Sequence, residues 1–237
     1  MLLIPLAAAA VFGLVAAPAM AHSTWIAKRG GEFTVVHGYG ASDDAYEPGT
    51  VGGAKAFDAE GAEVPVSLQP LGGTASLAGA AEGEAAVVTA TMAHGWWTED
   101  AEGEWHNEPP EGFPGFRSAG EYTDHPVAVF AAPAEPGAPL GNPLEIVPLA
   151  DPSALGRGDE LPVRVLFEGE PLSGAEVVMD VLPSEEAARP TDADGETTLV
   201  VANDVLNVAS VYHEVPAGDR RVRGYGATLA FAPAPEE

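Results

Sequence analysis

The chain has 237 residues, with 36 Asp and Glu against 10 Lys and Arg, a formal charge of −26 and no cysteine. Such acidity excludes nucleic acid as a default partner and disfavours anionic lipid, because both need the opposite sign; the missing thiols exclude disulfides, thiolate metal sites and cysteine nucleophiles. With 28 Gly and 22 Pro, no long stretch keeps a 3.6-residue apolar period, and short alternating runs recur between turn signals instead.

Residues 1–21, MLLIPLAAAAVFGLVAAPAMA, form an apolar run that ends in the small-x-small triplet Ala19-Met20-Ala21, the layout of a secretory signal and its cleavage site. No Lys or Arg precedes Lys28, and the run is about long enough to cross a bilayer, so an uncleaved N-terminal anchor is the competing reading. Cleavage after Ala21 makes His22 the first residue of a periplasmic or secreted protein. No later segment is apolar enough for membrane insertion.

Two strands are expected first, one around His22–Ile26 and one in EFTVVHGYG (32–40), folded into a hairpin about KRGG (28–31). AEVPVSLQPL (62–71), EAAVVTATMAHGWW (84–97) and HPVAVFAA (125–132) continue the pattern. AAPAEPGAPLGNP (131–143) then breaks it with Pro, Ala and Gly, as a linker does. Beyond it come LEIVPL (144–149), ELPVRVLFEG (160–169), AEVVMDVLP (175–183), ETTLVVA (196–202), VLNVASVYHEV (205–215) and YGATLAF (225–231). The fold expected is all-β: an N-terminal β-sandwich over 22–139 and a smaller, immunoglobulin-like or carboxypeptidase-regulatory-like sandwich over 140–237.

The chemistry must come from six histidines: 22, 37, 94, 106, 125 and 213. No strained G-x-S-x-G elbow exists for a serine nucleophile. The D-x-D-G of TDADGE (191–196) lacks the remaining ligand spacing of a calcium loop and reads as a turn. GYGA (38–41) and RGYGA (223–227) open no helix and are poor phosphate loops. Metal binding is what histidine does best in a cysteine-free exported protein.

A mature N-terminal His22 offers an imidazole and an α-amine on one residue, both easily neutral near pH 7. The hairpin brings His37 to the same end, and His213, near the end of a late strand in ASVYHEVP, is the third ligand expected. The segment 94–113 gathers His94, Trp96, Trp97, Trp105 and His106 in a polar hairpin, either an aromatic ligand platform or a cap on an open sandwich end. Whether His94, His106 or His125 takes part is open at this point. Arg220, Arg221 and Arg223 form the one basic patch.

Three stretches together carry a resemblance: His22, Trp25 and Ile26 after the cleavage site, the strand ending His37-Gly38-Tyr39, and the tail from GNPLEIVPLADPSALGRGDELPVRVLFEGEPLSGAEV through TDADGE and VYH to ATLAF. They are similar to a periplasmic domain-of-unknown-function family of NikM-like nickel/cobalt transport components, most closely over 141–231. Asp124-His125-Pro126-Val127 departs from many relatives. The resemblance implies a non-enzymatic component that binds nickel or cobalt and supplies a metal-uptake transporter or outer-membrane receptor component. In solution, copper binds such nitrogen sites more tightly than nickel, cobalt or zinc. Two rival expectations are a copper-dependent oxidative enzyme built on an N-terminal histidine, and a structural surface module without ligand.

Overall fold

The computed structural model describes residues 22–38, 43–79, 85–179 and 188–233; the expected signal segment 1–21 lies outside them. The strands are β1 (Ser23–Arg29), β2 (Glu32–Gly38), β3 (Val51–Phe57), β4 (Glu63–Val64), β5 (Val66–Leu71), β6 (Thr74–Gly79), β7 (Val87–Glu99), β8 (Trp105–His106) and β9 (Ser118–Val129) in the first half. The second half holds β10 (Leu144–Pro148), β11 (Glu160–Phe167), β12 (Glu170–Pro171), β13 (Glu176–Met179), β14 (Arg189–Pro190), β15 (Glu196–Val200), β16 (Asn207–Pro216) and β17 (Arg221–Phe231). Only short 3-10 turns accompany them, with no α-helix among the described residues.

The hairpin expected about KRGG forms, pairing Thr24 with His37 and Arg29 with Glu32. Its turn uses Gly30 and Gly31 at positive φ, where a side chain would be strained. The strands β1-β2-β6-β5 make one sheet, and β10-β11-β12 with β15 on β11 make another. Between them runs a nine-stranded sheet in the order β14-β13-β16-β17-β9-β7-β3-β4, with β8 on β7.

The alternation of side chains along a strand fills both faces of that central sheet. Val87, Val127, Val129, Ala209, Leu229 and Phe231 pack with Leu144, Ile146, Val163 and Leu199 on one side. Val88, Ala128, Val208 and Ala230 pack with Ile26, Phe33 and Val35 on the other. Neighbouring residues of one strand therefore serve different cores, and the stretches Val127–Val129 of β9 and Leu229–Phe231 of β17 are continuously apolar because both faces are covered there.

The all-β sandwich architecture expected from the sequence is the one observed. The 139/140 boundary, however, does not part the sheets. β17 from the last part of the chain runs parallel to β9 from Arg221↔Ala119 to Phe231↔Val129, and the first core draws on both sides of 131–143. Limited proteolysis within 131–143 is therefore expected to leave two fragments that co-purify under native conditions. A folded fragment beginning there and released alone, as separable domains require, is the outcome that sinks the shared-sheet account.

Candidate metal centre

The site grows from four strands of the first half, β1, β2, β7 and β9. Thr24 lies on β1, with His22 two residues earlier, just ahead of the strand and on the same face; His37 lies opposite Thr24 on β2, so all three look toward the central sheet. The His22 and His37 rings stack with centroids 5.5 Å apart. From the central sheet rise His94 of β7 and Asp124 of β9. Met92 is paired with Asp124 across the ladder, and the register slips between Ala93 and Gly95. His94 is thus the extra residue of a β-bulge, with Gly95 at φ 71° releasing the backbone. The Asn107 side-chain amide donates to the carbonyls of His94 (3.0 Å) and Trp96 (2.8 Å) and pins the bulge from outside. Bulges re-aim side chains in this way beside functional sites.

The result is a cluster of His37, His94 and Asp124 whose ligand-type atoms all lie within 4.8 Å of one another. His94 Nε2 is 2.9 Å from Asp124 Oδ2, and the Thr24 hydroxyl donates to the same oxygen at 2.6 Å. The His94 and His37 rings lie 5.1 Å apart. Thr24 Oγ1 also touches His37 Nδ1 at 3.3 Å and Met92 Sδ at 3.3 Å. A hydroxyl has one proton; with it committed to Asp124, the His37 contact is a hydrogen bond only when Nδ1 carries the proton.

The cluster opens outward in steps. The side chains of His94 and Asp124 are 10% and 12% exposed, while His22 and Asp44 at the mouth, 3.1 Å apart, are 49% and 46% exposed. Asp44 is delivered by a returning segment whose amide bonds the His37 carbonyl at 2.8 Å. Tyr46 anchors that segment by donating to the Val35 carbonyl and accepting from the Ala75 amide. Asp43, the residue before Asp44, engages Arg29.

The two imidazoles of the cluster are tuned in opposite directions. Burial, with His94 close by, lowers the pKa of His37 below the ordinary 6.5, against the pull of Asp124. Burial also works to lower His94, but the hydrogen bond and charge of Asp124 together outweigh it and raise its pKa above 6.5. His37 is thus neutral at neutral pH, whereas His94 keeps its proton to higher pH than a free imidazole, so a cation entering the cluster would compete with that proton. Two nitrogens and a carboxylate oxygen at this separation, with a third imidazole at the mouth, suit a borderline divalent transition metal better than calcium or magnesium, which take all-oxygen shells.

His213 does not join them. It neighbours Tyr212 on β16, and alternation sends the two side chains to opposite faces: Tyr212 lies near Tyr122, with centroids 6.5 Å apart, on the side of Asp124. His213 instead meets Phe167 of β11 edge-on at 4.6 Å, under the other outer sheet. His125 is on that far face too, near Tyr225, buried, with neither ring nitrogen hydrogen-bonded; burial lowers its pKa. His106 bonds Asp100 at 2.8 Å and stacks on Phe113, organising the β7–β8 hairpin where Trp97 and Trp105 are partly exposed.

The residues the sequence reasoning missed are Asp124, never considered a ligand, and His94, left undecided. Both had a signal: Met92 and His94 alternate in TATMAHG, and Asp124 is a carboxylate just ahead of the apolar run Pro126–Val129 on the same strand, where a buried ion needs a partner.

The family model for the domain of unknown function DUF4198 matches residues 19–215. The chain belongs to that family. The DUF4198 match spans His22, His37, His94 and Asp124 and stops short of β17. No curated protein and no solved structure matches this chain.

Proposed function

We propose that this protein binds one divalent transition metal ion through His37, His94 and Asp124, with His22 closing the site. By the family resemblance the ion is nickel or cobalt, and the protein works in the periplasm or outside the cell as a non-enzymatic carrier for an uptake transporter. The convergence of His37, His94 and Asp124 within 4.8 Å beneath the His22–Asp44 mouth is the observation that supports the reading. The acidic surface adds to it by concentrating cations nearby. Cleavage after Ala21 places the α-amine of His22 at that mouth, where amine and imidazole chelate together.

Calorimetric titration with nickel, cobalt and copper tests the proposal on protein whose intact mass begins at His22. One site is expected. An added residue ahead of His22 should weaken it at least tenfold, about 1.4 kcal/mol. The pH dependence follows from the two imidazoles. Metal must displace the His94 proton, so affinity should already fall as pH drops toward 6.5 through the raised His94 range. It should fall further only below 6.5, where His37 begins to charge. Binding that is equally tight at pH 8 and pH 5 would falsify coordination by these imidazoles.

A copper-dependent oxidation is the second reading, favoured by the stacked, half-exposed His22 beside His37. It requires copper-loaded protein to consume oxygen with ascorbate on a polysaccharide; carrier function requires that it does not.

A further inference from the structure

Asp124 is held by more than its proposed metal. Its Oδ2 receives the Thr24 hydroxyl and faces His94 Nε2. Its Oδ1 occupies the space that a Cβ on Gly226 would fill, closer than any real Cβ approaches a neighbour, and the Asp124 carboxyl carbon would lie 3.0 Å from that Cβ. Gly226 sits opposite Asp124 in the β17–β9 ladder. The space over Gly224, two residues earlier on the same face, is likewise filled by the Tyr122 ring and the Tyr212 hydroxyl. These two glycines of the RGYGA run carry no positive φ, so their smallness, not their backbone freedom, is what the site uses. The strand that lacks side chains here lets side chains of its neighbours lie across it.

We propose that Gly226 and Thr24 are positioning residues for Asp124: the glycine makes the niche for one carboxylate oxygen, and the threonine hydroxyl orients the other toward His94. The inference rests on the metal-binding reading for its functional consequence, though not for its geometry. Outer groups that orient a ligand typically contribute 10–100-fold in metal affinity. Thr24 is well placed for this because its own strand is tied down: its carbonyl accepts from the Thr228 hydroxyl of β17 at 2.7 Å.

Gly226→Ala is the informative change. The added methyl meets the far end of a flexible side chain, so the carboxylate swings away and the sheet persists; an unchanged far-ultraviolet spectrum and cooperative melting check this. In metal-free protein, a downfield proton resonance from the His94–Asp124 hydrogen bond is expected in the wild type. It should be lost in Gly226→Ala and Asp124→Asn, reduced in Thr24→Val, and kept in Thr24→Ser. With cobalt, Gly226→Ala should bind at least tenfold more weakly and show altered d–d absorption, yet cost nothing further when added to Asp124→Ala.

Additive losses in that double variant, or a wild-type resonance and cobalt spectrum preserved in Gly226→Ala, overturn the inference. If Gly226→Ala does not fold, Thr24→Val against Thr24→Ser decides it by the same resonance: an equal reduction in both, or no reduction in either, is the overturning result. A resonance that behaves as expected in a wild type that binds no metal leaves the positioning intact and removes the metal reading instead.

Discussion

Changing His94 to Ala lowers the affinity for nickel or cobalt by about 100-fold, roughly 2.8 kcal/mol, while His213→Ala leaves it unchanged. This is the expected result if the ion sits between the first outer sheet and the central sheet. His94 contributes a nitrogen only 2.9 Å from the carboxylate that completes the cluster, and its loss leaves His37 and Asp124 with no third inner donor. His213 faces the opposite core against Phe167, so its removal touches no candidate ligand. Equilibrium titration of the two variants beside the wild type reads both effects. The reverse pattern would move the site to the far face and leave the buried cluster with a purely structural role.

The second large effect concerns stability. Phe231 is fully buried on β17 among residues from both sides of the 131–143 segment, including Val87, Val129, Leu144 and Ile146. Phe231→Ala is expected to cost about 3–5 kcal/mol, combining lost transfer energy with the cavity left in a core that cannot collapse around it. Because that core is common to both halves, denaturant unfolding followed by tryptophan emission and by far-ultraviolet signal should shift as one transition. All four tryptophans lie in the first half. A phenylalanine in the last strand that lowers their midpoint equally reports one cooperative unit; two separated transitions, with the tryptophan signal unmoved, would mean that the halves unfold independently.

The strands were legible because period-2 patterning and Gly, Pro, Asn and Asp punctuation are local. EFTVVHG, ELPVRVLF and ETTLV fall within the expected runs, and the KRGG turn predicted the pairing that brings His22 to His37. What local pattern does not carry is which strands meet from far apart. The parallel partnership of β9 and β17 depends on burying two faces at once, and no turn between them announces it.

The same limit governed the site. Strand ends and histidine content pointed to His213, but one position on a strand decides the face, and Tyr212 takes the face that looks toward Asp124. His94 stood in a tract whose tryptophans suggested a cap, and the bulge that aims it needs a register slip visible only with β9 in place. Asp124 passed unnoticed because it was one of 36 acids and its burial is a tertiary property.

The parallel seam between β9 and β17 also orders events in time. The floor of the candidate cluster includes Gly226, on a strand that emerges after every other strand of the described residues, so a chain held before that point has its histidines without their arrangement. Pairings between distant segments are slow to form because loop closure precedes any compensating contact. The cluster is therefore a late product of folding, and under the proposed metal-binding reading the compartment in which β17 docks sets the cations it meets.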